Sequence, residues 1–196
     1  MAKLGLALCE GKHDKYMIED VLRRRLSISK VLNAETYREI HVFIRSKREG
    51  FMVYVSGGKP NIYRALNDLS SQLLRYRYLN SICVVVDEDQ GNPVEDIWDR
   101  LRSYLLDRSK FPSEKPTINR AEQAFLLGYR GFCLRVWVLT IPGSLEEQVR
   151  AILKSKDIDY DKLDYLALFR DKKWFNRLVK ILACLLYTSP SPRDRG

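Results

Sequence analysis

Long apolar runs are missing from this 196-residue sequence. No stretch reaches the roughly 18 consecutive apolar residues that a membrane-spanning helix needs, so no membrane association is expected. The apolar start of the chain is also too short for a signal peptide before it reaches Glu10. We therefore expect a cytoplasmic protein.

Residues that commonly bind zinc are scarce. The four cysteines include no Cys-x-x-Cys pair, which argues against a zinc site. Cys9, Cys83 and Cys133 lie in apolar runs and are expected to be buried. There are only two histidines, and neither a Ser-His-Asp arrangement nor a Walker-type phosphate loop can be recognised.

The composition is that of a folded globular protein, with 45% hydrophobic and 30% charged residues. Its length suits one domain. The formal net charge of +9 favours an anionic partner, and nucleic acid is the commonest such partner of a basic protein. A homodimer or a protein partner is equally compatible with this composition.

The last 13 residues, 184–196, resemble a translated sequencing adapter. We expect them to be a non-native tail, so that residues 1–183 form a single domain truncated at its C-terminus. The alternative is a natural disordered tail, which the Ser-Pro-Ser-Pro sequence would also allow.

Apolar runs alternate with helical patterns along the chain. Strands are predicted at residues 4–9, 51–55, 82–86 and 132–141, most of them followed by an amphipathic stretch. This order predicts an α/β domain with a mainly parallel sheet of about four strands flanked by helices. Residues 40–45 are rich in β-formers and precede a short polar segment, which predicts an inserted hairpin with 51–55. Residues 107–120 are predicted to form a surface loop, and a final helix is predicted over about 163–182.

Acidic residues follow two of the predicted strands. Glu10 comes after the first strand, and Asp87 and Asp89 come after the 82–86 strand. Because parallel strands end at the same edge of a sheet, these carboxylates are expected to converge there. Converging negative charges repel, and a hard cation such as Mg²⁺ relieves the repulsion.

These motifs resemble those of TOPRIM domains, most closely the standalone and OLD-nuclease-like branches. Residues 10–14 match the Glu-Gly-x-x-Asp opening of the family, and residues 87–89 match its Asp-x-Asp motif. The glycine-rich turn at 56–62 and the Gly-Ser-Leu-Glu-Glu segment at 143–147 are similar to further elements of those branches. The resemblance spans residues 4–154 and implies a nuclease or other phosphotransfer domain that uses Mg²⁺ or Mn²⁺.

The resemblance also implies roles for particular residues. Glu10 would act as general acid or base and would also contact metal. The other metal ligands would be Asp87, Asp89 and Glu146, the phosphate-binding residues would be Gly57, Gly58 and Lys59, and Asp14 and Lys12 are further candidates.

Each role has a simpler alternative. Glu10 and Asp89 could be ordinary turn residues, Asp14 could only start a helix, and the Gly-Gly-Lys segment could be a glycine turn with a solvated lysine. Glu147 fits a capping box with Ser144, so it is interpreted as structural. The basic clusters 23–25 and 46–48 could bind nucleic acid or be solvated. For the whole chain, the alternatives are a non-catalytic metal- or nucleotide-binding regulatory module and an unrelated receiver-like phosphotransfer fold.

Overall fold

The computed structural model describes residues 4–46, 50–73, 79, 81–88, 92–107, 117–119, 122–129, 132–155 and 157–187. Its strands are β1 (Leu4–Cys9), β2 (Val31–Ala34), β3 (Gly50–Val55), β4 (Ser81–Asp87), β5 (Thr117–Asn119), β6 (Ala124–Tyr129) and β7 (Phe132–Ile141). Its α-helices are α1 (Lys12–Asp20), α2 (Tyr37–Ser46), α3 (Lys59–Leu73), α4 (Pro93–Asp107), α5 (Leu145–Leu153), α6 (Tyr165–Leu168) and α7 (Lys173–Tyr187). A π-helical turn, Val21–Arg25, continues α1, and a 3-10 turn covers Tyr160–Lys162.

The strands form one sheet in the order β2-β3-β1-β4-β7-β6-β5. The five strands from β2 to β7 in this order are parallel, whereas β6 and β5 pair antiparallel to complete the far edge. The predicted α/β class with a mainly parallel sheet is confirmed, but the expectation of about four strands is too low.

Alternate side chains of the central strands point to opposite faces of the sheet and belong to two separate cores, as the two-residue period of a strand requires. One core includes Leu6 and Leu8 of β1 and packs against α2, α3 and α4. The other includes Ala7 and Cys9 and packs against α1, α5, α6 and α7. The sheet is therefore covered on both faces, which explains why β1 and β4 are almost continuously apolar.

The predicted hairpin at residues 40–55 is wrong. Residues 37–46 form α2, and the strand that precedes β3 is β2, which pairs with β3 in parallel. Ile40, Phe43 and Ile44 are buried on one helical face. This i, i+3, i+4 spacing is helical, and it outweighs the β-branched composition of the segment.

Two further expectations are corrected near the C-terminal half. The predicted loop at 107–120 contains strand β5, while its residues 108–116 lie outside the described residues. The predicted final helix is divided into α6 and α7. Helix α7 continues to Tyr187, and Leu185 and Leu186 from the start of the predicted tail are buried against the second core.

Gly5 and Phe51 form a close cross-strand pair between β1 and β3. They are direct partners in the register, and the Phe51 ring covers the place where a side chain at residue 5 would stand. The ring itself is fully buried. We expect Gly5→Ala to reduce the free energy of unfolding by about 1–3 kcal/mol, because an added methyl overpacks this contact. Urea denaturation measures the effect.

A double-mutant cycle isolates the pair. In a Phe51→Leu background, the same Gly5→Ala change should reduce the free energy of unfolding by a smaller amount, because the ring that the new methyl would displace is gone. Gly11→Ala is the control, since a Cβ there meets nothing closer than the Asp14 carboxylate at 3.8 Å. Equal destabilisation by Gly5→Ala in both backgrounds would contradict the packing described here.

Candidate functional site

Strand β1 lies between β3 and β4, and the residues that follow these strands meet at one edge of the sheet. Cys9 pairs with Val55 on one side and with Val85 on the other. Glu10 is therefore next to the end of β4, where its Oε1 accepts a hydrogen bond from the backbone N–H of Asp87 at 3.0 Å. The expected proximity of Glu10 and Asp87 is present in the structure.

Asp14 is the most deeply buried carboxylate at this edge. It lies in the first turn of α1, is 5% exposed, and accepts a hydrogen bond from the Gly11 N–H at 3.0 Å. Burial raises the pKa of Asp14 to about 8, with further contributions from the negative charges of Asp87, Glu146 and Glu10 and an opposing one from the Gly11 N–H. We call these four acidic residues, Glu10, Asp14, Asp87 and Glu146, the carboxylate cluster.

Glu146 reaches the cluster from the helix that follows β7. Ser144 caps α5 by accepting a hydrogen bond from the Glu147 N–H at 3.2 Å. Glu146 instead contacts His13, with Oε1 2.6 Å from Nδ1. The four parallel strands β3, β1, β4 and β7 thus each lead directly into a segment that contributes to this edge.

The sequence favours an ordinary surface role for His13 beside the proposed site, with assistance to a phosphate as the alternative. It lies between Glu146 and Tyr160, whose ring stacks on the imidazole with the centroids 3.9 Å apart. His13 and Glu146 are separated by 133 positions in the chain, so no local pattern could connect them. The available signal was the position of His13 beside Asp14, immediately after a strand end. Tyr160 carried no signal at all.

The glycine-rich turn places Lys59 at the cluster. Gly57 and Gly58 have φ values of +74° and +130°, which other residues rarely adopt. Their N–H groups donate to the Glu10 carbonyl at 3.0 Å and to Ser56 Oγ at 3.2 Å, respectively. Lys59 Nζ lies 3.9 Å from Glu10 Oε1. The glycine N–H groups are therefore engaged within the protein, and the lysine ammonium is the group of this turn that faces the carboxylates.

Other predicted residues have separate outcomes. Lys12 is exposed at the first position of α1. Asp89 lies outside the described residues.

Cys9 and Cys83 are buried, as expected, and burial raises the pKa of Cys83 to about 12 and that of Cys9 well above its usual range. The two thiols are therefore unreactive core residues.

The carboxylate cluster does not form a ready-made cation site. Among the residues that the structure describes, no three His, Cys, Asp or Glu side chains are arranged to hold a metal ion. Glu10 is turned toward the Asp87 N–H and Lys59, and Glu146 is held by His13. A cation shared by these carboxylates would require side-chain rotation or a ligand from the segment 89–91. The predicted metal site remains a prediction.

Comparison with known proteins supports the fold. No protein-family model and no curated protein matches the chain. Its structure is similar to the crystal structure of hypothetical protein PH0156 from Pyrococcus horikoshii OT3, with a TM-score of 0.51 and 15% sequence identity. The similarity covers 94% of this chain and 97% of that chain. At this identity it shows an α/β fold alone.

Within the described residues, no helix combines the length and the apolar character that crossing a membrane requires.

The protonated state of Asp14 predicts a pH-dependent stability. Between its ordinary pKa of about 3.8 and its raised pKa of about 8, the folded protein holds a proton that the unfolded chain has released. Stability therefore falls as pH rises through this range, by up to about 1.4 kcal/mol per pH unit. We expect Asp14→Asn to remove this dependence, because the amide oxygen can still accept the Gly11 N–H but carries no charge.

The measurement is urea denaturation of both proteins in EDTA at several pH values between about 5 and 9. The asparagine variant should gain stability relative to the natural sequence as pH rises, and the difference should level off above about pH 8. Asp99→Asn, an exposed position on α4, is the matched control. Parallel pH profiles for the natural sequence and Asp14→Asn would show that Asp14 does not carry the proton.

Proposed function

We propose that this chain is a Mg²⁺- or Mn²⁺-dependent phosphotransfer domain that hydrolyses nucleic-acid phosphodiesters. The observation that supports this most is the position of the carboxylate cluster relative to the chain topology. Helix α1 leaves β1 toward one face of the sheet, whereas α4 leaves the neighbouring β4 toward the other. Adjacent strands whose connections diverge in this way open a crevice at their carboxyl ends, where α/β proteins bind ligands.

The charges at this crevice are suited to a divalent cation. Four carboxylates lie close enough for three of them to raise the pKa of the fourth, Asp14. Lys59 is the cation found 3.9 Å from Glu10. A bound divalent ion would lower the remaining repulsion, as oxygen-rich Mg²⁺ sites do. The TOPRIM resemblance of residues 10–14 and 87–89 supports the same proposal.

In this proposal Asp87, Asp89 and Glu10 hold the cation. When bound, the cation neutralises phosphate charge and lowers the pKa of a coordinated water. Lys59 orients a phosphate oxygen beside Glu10, at the start of α3. Glu10 accepts or returns a proton, the role that the TOPRIM resemblance of residues 10–14 implies for it.

A second candidate function is a metal- or nucleotide-binding regulatory module without catalysis. It is favoured by the existing contacts of Glu10, whose Oε1 accepts the Asp87 N–H and lies 3.9 Å from Lys59 Nζ, because they engage the carboxylate that catalysis would need as acid or base. The two candidates predict the same cation binding and differ only in turnover.

Plasmid nicking tests the proposal. The natural sequence should nick supercoiled DNA, or cleave RNA, only with added Mg²⁺ or Mn²⁺. Asp87→Asn should reduce the rate at least about 100-fold, because loss of a metal ligand exceeds the 10–100-fold effects of outer-shell changes. Asp99→Asn makes the same chemical change at an exposed position and should leave the rate unchanged.

Thermal unfolding with and without Mg²⁺ separates the two candidates. A cation at 100 times its Kd should stabilise the natural sequence by about 2.7 kcal/mol and should not stabilise Asp87→Asn to this extent. Stabilisation with no cleavage of DNA or RNA would favour the regulatory module. If Mg²⁺ neither stabilises the protein nor supports cleavage, both candidates are overturned.

A further inference from the structure

A second feature with binding character lies at the opposite end of α1 from the carboxylate cluster. It is a cavity of about 710 Å³ between the π-helical turn Val21–Arg25, the α6 segment and α7. Its volume falls in the range of sites that accept small ligands and cofactors. Asp14 lies in the first turn of α1, whereas Arg24 follows the last turn, so the cavity and the cluster share a helix but no residues.

The lining of the cavity carries an excess of positive charge. Its four cations are Arg24, Arg25, Arg170 and Lys180, and its carboxylate is Asp164. The formal surplus is three positive charges. Cationic groups held around one concave surface attract an anion more strongly than the same charges spread over a flat surface.

Most of this charge is not neutralised within the protein. Arg24 is already paired, with contacts of 3.2 Å to Asp20 and 2.9 Å to Asp164. Arg25, Arg170 and Lys180 are exposed, and over the described ranges none of the three forms an ion pair. Arg24 therefore serves to fix the wall of the cavity, and the other three cations are available to a ligand.

The inner part of the cavity is apolar. Leu166 and Val179 are half-buried and supply its accessible apolar surface, whereas Phe175 is buried at 2% exposure. A simple inorganic anion has no apolar group that could pack against such a surface. A ligand that combines an anionic group with a ring system would place the ring over these side chains and the anion against the guanidinium groups.

The backbone of the arginine segment is unusual. Residues 21–25 form a π-helical turn in which the Leu26 N–H donates to the Val21 carbonyl at 3.1 Å, and Ser27 has a φ of +57°. π-Helical turns and left-handed non-glycine residues occur preferentially at functional sites. Here the turn carries Arg24 and Arg25 to the cavity, which gives a structural role to part of the basic cluster 23–25.

We propose that this cavity binds a nucleotide, with its phosphates on Arg25, Arg170 and Lys180 and its base or ribose over Leu166 and Val179. The nucleotide is either free or part of a single strand. The site depends on side chains outside the carboxylate cluster, so the inference stands independently of the proposed function.

Fluorescence anisotropy in EDTA tests the inference without any contribution from a divalent cation at the cluster. The probes are N-methylanthraniloyl-ATP and a short fluorescein-labelled oligothymidylate. Arg25→Glu/Arg170→Glu should weaken binding at least about tenfold, because each arginine supplies a charge-assisted hydrogen bond. Arg38→Glu/Arg64→Glu reverses the same number of exposed charges on helices of the opposite face and should have a much smaller effect.

The two probes distinguish the sources of the nucleotide. Tight binding of the ATP analogue, with no further gain from the oligomer, identifies a free nucleotide as the ligand. Tighter binding of the oligomer, with affinity that falls steeply as salt rises, identifies a nucleic-acid strand. Circular dichroism confirms that the variants are folded. Failure of both probes to bind, or equal losses in the two double variants, would overturn the proposal.

Discussion

The parallel pairing of β1 with its two neighbours is the constraint on which the candidate site depends. The register aligns Cys9 with Val55 and Val85, so β1 and β3 end at the same level and β4 continues two residues farther, to Asp87. Glu10, the turn that contains Lys59, and Asp87 are brought together by this alignment and not by any local motif. A shift of one residue in the register would move alternate side chains to the other face and would disrupt both cores.

Crowding of negative charge at one edge requires compensation, and the structure provides it in three ways. The Gly11 N–H donates to Asp14, the Lys59 ammonium lies near Glu10, and the His13 ring contacts Glu146. A proton on Asp14 also removes one of the four negative charges, as the raised pKa of this buried carboxyl indicates. These contacts and the proton therefore reduce the repulsion among the carboxylates within the protein itself.

The parts of the fold that follow from short-range patterns were predictable from the sequence. Continuous apolar runs located β1, β4 and β7, and the acidic residues at strand ends located Glu10 and Asp87. The interpretation failed where composition and period disagreed, as in the segment that forms α2, where Ile40, Phe43 and Ile44 follow a helical period. The short strand β5 was missed because it is stabilised by pairing with β6. Its own short, polar sequence does not predict that contact.

Long-range contacts also limit what the sequence could reveal of the sites. His13 and Glu146 meet only because β7 lies beside β4, and the arginine segment meets Arg170 and Lys180 only because α6 and α7 return to cover the same face as α1. Helix α1 links the two regions, with an acidic residue in its first turn and arginines after its last. Its dipole favours each arrangement, since the positive N-terminal end stabilises carboxylates and the negative C-terminal end stabilises guanidinium groups. The electrostatics of one helix therefore support two regions of opposite charge.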